Sequence, residues 1–163
     1  FYIPICYLTS NTICGDKLFY MPDATLYHFG VLTSMMHMTW MRHTCGRLES
    51  RYSYSNTLVY NNYPWPKEPS DKEVAAVETA AQGVLDARAK YPDSSLADLY
   101  DPLTMPPELV KAHQGLDKAV DKCYRGKAFA GETERLEYLF GLYNEYITPM
   151  IKAETKKKRR KKD

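Results

Sequence analysis

The sequence predicts an α+β chain, a β-rich region followed by a small helical bundle. Three observations predict it. Tyr-, Phe-, Ile- and Leu-rich stretches with turn residues between them fill much of residues 1–60. Beyond Ser70, apolar residues recur at spacings of three and four. Between the two regimes lies a stretch with three prolines, NNYPWPKEPS at 61–70. Alternation is the signature of strands and three-four spacing that of helices.

Taken in order, residues 1–10 and 13–21 read as short strands, with Ser10-Asn11 as the turn and Pro4 fitting an edge position. Pro22-Asp23 breaks the pattern, and Asp23 is expected to cap the next element. From Thr25 to about His43, Phe29, Leu32, Met36 and Trp40 mark one amphipathic helix, with Gly46 at its C-terminal end. Residues 47–60 return to strand chemistry. Alternation places Arg47, Glu49, Arg51, Ser53 and Ser55 on a polar face and Leu48, Ser50, Tyr52 and Tyr54 on an apolar, aromatic one. Residues 61–70 read as a linker or rigid hinge.

Three helices follow. Ser70-Asp71-Lys72-Glu73 is a capping box, with Val74, Val77, Ala81, Val84 and Arg88 as the inward stripe and Pro92 as the stop. A second helix spans about Pro106 to Tyr124, burying Leu109, His113, Leu116, Val120 and Cys123. A third spans about Glu132 to Ile147, with Leu136, Leu139, Phe140, Tyr143 and Ile147 inward. Three such helices must pack together or on a neighbour. The organisation expected is thus 1–66, 67–155 and a basic tail at 156–163, which reads as disordered or as a solvated helical extension.

Composition bounds the function. The 163 residues are 44% apolar and 26% charged, as in soluble globular proteins. No apolar run reaches the roughly 18 residues of a bilayer span, and no signal peptide opens the chain. Phe1 stands where an initiator Met would, so a fragment of a longer polypeptide is expected. Cys6, Cys14, Cys45 and Cys123 form no short pair, which points to reduced thiols and a cytoplasmic protein. Charge is uneven. Residues 1–67 hold five basic and three acidic side chains, 68–155 ten and sixteen, and KKKRRKKD at the end seven and one. A polyanion would prefer the first region or the tail.

Catalytic signatures are absent: there is no GxGxxG, GxxxxGK[ST], HExxH or GxSxG. Neither Met105-Pro106-Pro107-Glu108 nor Asn62-Tyr63-Pro64-Trp65 has the order of the Asn-Pro-Pro-Tyr motif of amino-methyltransferases. His28, His37, His43 and Cys45 lack the spacing of a zinc site, so no metal is expected. The tail reads either as a phosphate-binding or localisation patch or as a solubilising terminus. The sharpest local signal is 47–55. Arg pairs with guanine and Glu accepts from cytosine N4, so Glu49 and Arg51 could read the two halves of one C·G pair. The bland alternative is a surface ion pair worth under about 1 kcal/mol.

Several long runs then carry a resemblance: Pro22–Ser34 (PDATLYHFGVLTS), His37–Arg42 (HMTWMR), Cys45-Gly46-Arg47-Leu48, Tyr52–Ser55, Val59–Pro66 (VYNNYPWP) and Tyr100–Leu109 (YDPLTMPPEL) with Lys111–Gln114, Leu116-Asp117 and Val120-Asp121. Over about residues 1–147 the chain resembles the MmeI-like type II restriction-modification enzymes. In these, one polypeptide carries nuclease, adenine-specific methyltransferase and target-recognition domains. The resemblance implies that this chain is the end of a target-recognition domain followed by the C-terminal helical domain, acting in sequence-specific recognition of double-stranded DNA. It places base-reading residues on Glu49, Arg51 and Ser53, with Arg47 beside them. It implies no catalytic or cofactor-binding residue in this chain. For the parent enzyme it implies N6-adenine methylation with S-adenosylmethionine, cleavage with Mg2+, and upstream methyltransferase and nuclease domains as partners in the same polypeptide. The alternative is a structural helical module that docks onto the rest of the enzyme without touching DNA.

Overall fold

Helices carry the chain, and the first starts at Thr25 rather than at Asp23. In the computed structural model the described residues are 2–8, 11–15, 18–49 and 51–159, with side chains described through 149 and at 151. Asp23 adopts a left-handed conformation, φ 54°, which Asp tolerates, and is spent on the turn. Thr25 is the N-cap instead: its backbone N–H donates to His28 Nδ1 at 3.2 Å and its hydroxyl lies 2.9 Å from the same nitrogen.

Helix α1 (Leu26–Thr33) and helix α2 (Met35–Thr44) replace the single helix expected from Thr25 to His43. Ser34 separates them in an extended conformation, ψ 163°. Its hydroxyl donates to the Val31 carbonyl at 2.7 Å, taking an acceptor that a continuing helix would need. One residue after α2 come strands β1 (Gly46–Leu48) and β2 (Arg51–Ser53), paired antiparallel with Gly46 opposite Ser53, Arg47 opposite Tyr52 and Leu48 opposite Arg51. A π-helical turn (Asn56–Tyr60) follows, with Asn61 N–H donating to Asn56 O at 2.8 Å.

The expected β-rich first region is therefore corrected: among the described residues the only sheet is this two-stranded hairpin. Residues 2–8, 13–15 and 18–21 have strand composition, yet no neighbouring strand supplies a ladder, and composition alone cannot satisfy a backbone. Ser10 of the expected turn lies outside the described residues, as does Ser50. The apolar face assigned to 47–55 is corrected too. Leu48 is 72% exposed and Tyr52 is exposed, because a chain that turns at Glu49 no longer alternates as one strand. Tyr54 alone of that set packs on the core.

Residues 61–70 form no free linker. Tyr63, Pro64 and Pro66 are buried, and Tyr124 OH lies 2.7 Å from Tyr63 OH and 3.1 Å from Pro64 O. Tyr146 OH donates to Trp65 O at 2.9 Å.

Helix α3 (Asp71–Ala89) opens on the expected capping box, Ser70 N–H donating to Glu73 Oε2 at 2.8 Å. A short helix α4 (Leu96–Leu99), capped by Ser95 and unforeseen in the sequence, turns Leu99 and Tyr100 inward. Helix α5 (Pro107–Tyr124) buries the stripe expected of it, Leu109, His113, Leu116, Val120 and Cys123. Helix α6 (Glu132–Arg159) outruns its expected end at Ile147 and continues through Pro149. Leu139 and Leu142 are buried, whereas Phe140, expected inward, is 41% exposed even as its ring meets Trp40 at 5.3 Å.

One core joins α1, α2, α3, α5 and α6. Its tightest crossing is at Gly30, where an added Cβ would stand 2.6 Å from Val77 Cγ1 and 3.2 Å from Leu116 Cδ1. Overpacking costs about 1–3 kcal/mol, and the better helix propensity of Ala offsets about 1 kcal/mol. Gly30→Ala should therefore lower stability by up to roughly 2 kcal/mol in urea unfolding; a stabilised variant would show that α1 can back away from α3.

Candidate nucleic-acid interface

The β1–β2 hairpin projects from the core with every described residue of its strands exposed. Glu49 makes the turn with φ 57°. This geometry differs from two neighbours on one strand face. Glu49 stands in the turn and Arg51 opens β2, yet the two side chains meet at the tip, Arg51 Nη2 donating to Glu49 Oε2 at 3.3 Å. They are 82% and 75% exposed, so the pair contributes at most about 1 kcal/mol to the fold. An acceptor and a donor fork thus stand side by side, turned to solvent. Arg47 lies opposite Tyr52, its guanidinium 4.5 Å from the ring centroid, which fixes that cation's direction. Ser53 is exposed at the base of β2, opposite Gly46.

The hairpin is bolted to α2 on both sides. Cys45 alone connects α2 to β1. On the return, the Tyr54 hydroxyl meets His37 Nε2 at 3.1 Å and Trp40 Nε1 donates to Val59 O at 3.0 Å. His37 Nδ1 donates to Leu32 O at 2.8 Å, so Nε2 is the acceptor for Tyr54. Burial holds the His37 ring neutral, its pKa lowered to about 4.

Other histidines are committed elsewhere: His28 to Thr25 and His43 Nδ1 to Thr39 O at 2.8 Å. Among the described residues no three His, Cys, Asp or Glu side chains gather as a metal site. Among the described residues, one surface groove is lined by Asp86, Lys90, Glu108 and Lys111 and another by Lys67, Tyr138 and Glu145.

Sequence reasoning missed a polar network that joins residues 2–5 to the helices. Arg88 Nη1 donates to Ile5 O at 2.7 Å and Arg88 Nε to Tyr100 OH at 2.8 Å; Tyr100 OH in turn meets His113 Nε2 at 2.7 Å. Burial, then the Arg88 charge, lowers the His113 pKa to about 3. Tyr2 stacks on His113 at 4.0 Å, and its hydroxyl donates to Asp117. Asp117 Oδ1 accepts Met35 N–H at 2.7 Å, and burial raises the carboxyl's pKa. Arg135 grips Asp121 through two bonds of 3.0 and 2.6 Å. An Arg and a His inside apolar helical stripes were the available signals; Asp117 stood only among the runs that carry the family resemblance, with no role attached.

Comparison with known proteins divides the chain in two. The model described as MmeI, target recognition domain, matches residues 1–67, and that described as MmeI, C-terminal domain, matches residues 69–151. DNA methyltransferase A of Bacillus subtilis (strain 168) is 43% identical over 145 residues, covering 89% of this chain and 16% of the relative. A solved structure of the Type IIL restriction-modification enzyme MmeI in complex with DNA is 52% identical with a TM-score of 0.74, covering 78% of this chain and 17% of that one. The chain spans about one sixth of the length of these relatives.

Proposed function

The chain belongs to the MmeI family, and on that footing we propose that it is the sequence-specific DNA-recognition module of an adenine-specific (N6) methyltransferase and type II restriction-modification enzyme. Residues 1–66 form the end of the target-recognition domain, 67–155 the helical C-terminal domain and 156–163 a basic tail outside the family match. The observation that carries the reading is the exposed hairpin tip. Glu49 and Arg51 present one acceptor and one donor fork together, the pattern that a C·G pair answers, within the segment matched by the recognition-domain model. Ser53, with Arg47 beside the tip on the facing strand, completes the DNA-contacting set that the family resemblance implies.

Methyl transfer and cleavage belong to upstream domains of the same polypeptide, which are the module's partners beside duplex DNA. S-adenosylmethionine and Mg2+ do not fit the residues of this chain. The groove at Asp86, Lys90, Glu108 and Lys111 has no aromatic wall, and among the described residues no three His, Cys, Asp or Glu side chains gather to hold a cation. No helix among the described residues is long and apolar enough to cross a membrane, and a cytoplasmic location completes the proposal.

Salt titration tests it. The chain should bind duplex DNA weakly, with little sequence preference, in an anisotropy assay. Removing residues 156–163 takes away seven cations. Each phosphate contact contributes about −0.9 to the slope of log K against log salt, so the slope should flatten by several units at most. Binding that ignores salt favours the docking module; an unchanged slope makes the tail a bystander.

A further inference from the structure

We infer that Asp117, on the helical half of the chain, is a positioning residue for base readout: it seats the helix that carries the recognition hairpin. The inference rests on the recognition reading above. A helix begins with N–H groups that its own turns cannot satisfy. At the start of α2 the neighbouring Ser34 hydroxyl is spent on Val31 O. Asp117 supplies the acceptor from α5, 2.7 Å from Met35 N, and a carboxylate there also suits the helix dipole. Its second oxygen takes the Tyr2 hydroxyl, which locks the carboxylate's rotation.

The far end of α2 is held by the same half of the chain. Arg42 Nη1 donates to Glu132 Oε2, in the first turn of α6, at 2.9 Å. Between these clamps Trp40 lies against Phe140 and Tyr143 of α6, at 5.3 and 5.6 Å. Beyond Arg42 the path to β1 is short, with Cys45 alone between α2 and the strand. A ten-residue helix is about 15 Å long. A tilt of about 5° there moves the hairpin tip by more than about 1 Å, enough to take a hydrogen bond out of range. The helical domain thereby sets the register of a hairpin it does not contain.

The test uses the full-length enzyme and reads, at each site position, the ratio of methylation rates on cognate and singly substituted duplexes. Asp117→Ala should lower the ratio at least ten-fold at the position governed by Glu49 and Arg51, leaving other positions within about three-fold. Asp117→Asn keeps an oxygen for Met35 N–H and should recover most of the loss. If Asp117→Ala does not fold, Glu132→Gln at the other clamp decides by the same ratio. A uniform fall in rate with every ratio unchanged would overturn the inference, as would failure of Asp117→Asn to recover. Glu49→Ala is the control. If it shifts the ratio while Asp117→Ala and Glu132→Gln do not, the positioning role alone falls. If it shifts nothing, the recognition reading falls and takes the inference with it.

Discussion

Full-length enzyme carrying Glu49→Lys together with Arg51→Asp should prefer G·C where the parent prefers C·G. The exchange reverses donor and acceptor at the hairpin tip while keeping opposite charges adjacent. Both side chains are mostly in solvent, at 75% and 82% exposure, so the fold has little to lose. Each side chain that meets its base is worth about 1–3 kcal/mol of discrimination. Two inverted contacts therefore turn a strong preference into its opposite, while either single substitution only relaxes it. Sequencing of methylated sites in the double variant measures this directly. A site unchanged at every position would make Glu49 and Arg51 an ordinary surface ion pair.

Leu116→Ala should cost about 2–5 kcal/mol. Leu116 is fully buried where α5 faces α1, its Cδ1 3.2 Å from where a Gly30 side chain would begin. Gly30 has no side chain to lean into the space. The cavity would therefore stay open, which puts the cost toward the upper part of that range. At about 2–4 °C per kcal/mol for a chain of this size, the melting temperature should fall by at least roughly 4 °C. A thermal scan beside urea unfolding decides it, and no shift would mean that α5 packs on a different face.

The helical half was largely legible because its signals are local. A capping box at Ser70, a proline at the start of α5 and a three-four stripe each act within a few residues, and α3 and α5 begin and face where those signals point. The β region was not legible in the same way. A strand is defined by a partner, and residues 2–8 and 18–21 have the composition without the partner. Alternation through 47–55 likewise presumes a chain that does not turn; Glu49 turns it, and Glu is no common signal for that conformation. The side-chain contact of Glu49 with Arg51 survived this error because a residue in the turn still meets one that opens the next strand. The role of Asp117 was not legible because its partner, Met35, lies 82 positions away.

The left-handed backbone at Glu49 has a consequence for how this tip diversifies over generations. A φ of 57° is uncommon for any residue with a side chain and a true outlier for Val, Ile or Thr, and it excludes Pro altogether. Asn, Asp and Gly enter such a position most easily, and straight-chain Gln, Lys or Arg meet no more resistance there than Glu does. On the proposed base-reading role, drift in the base preferred at this point is thus channelled through a restricted alphabet of polar residues unbranched at Cβ. A β-branched newcomer requires a different turn first, and a different turn moves Arg51. Lineages that change preference while keeping the hairpin's length should show that bias at this one position and none at strand position Ser53, whose φ is not positive.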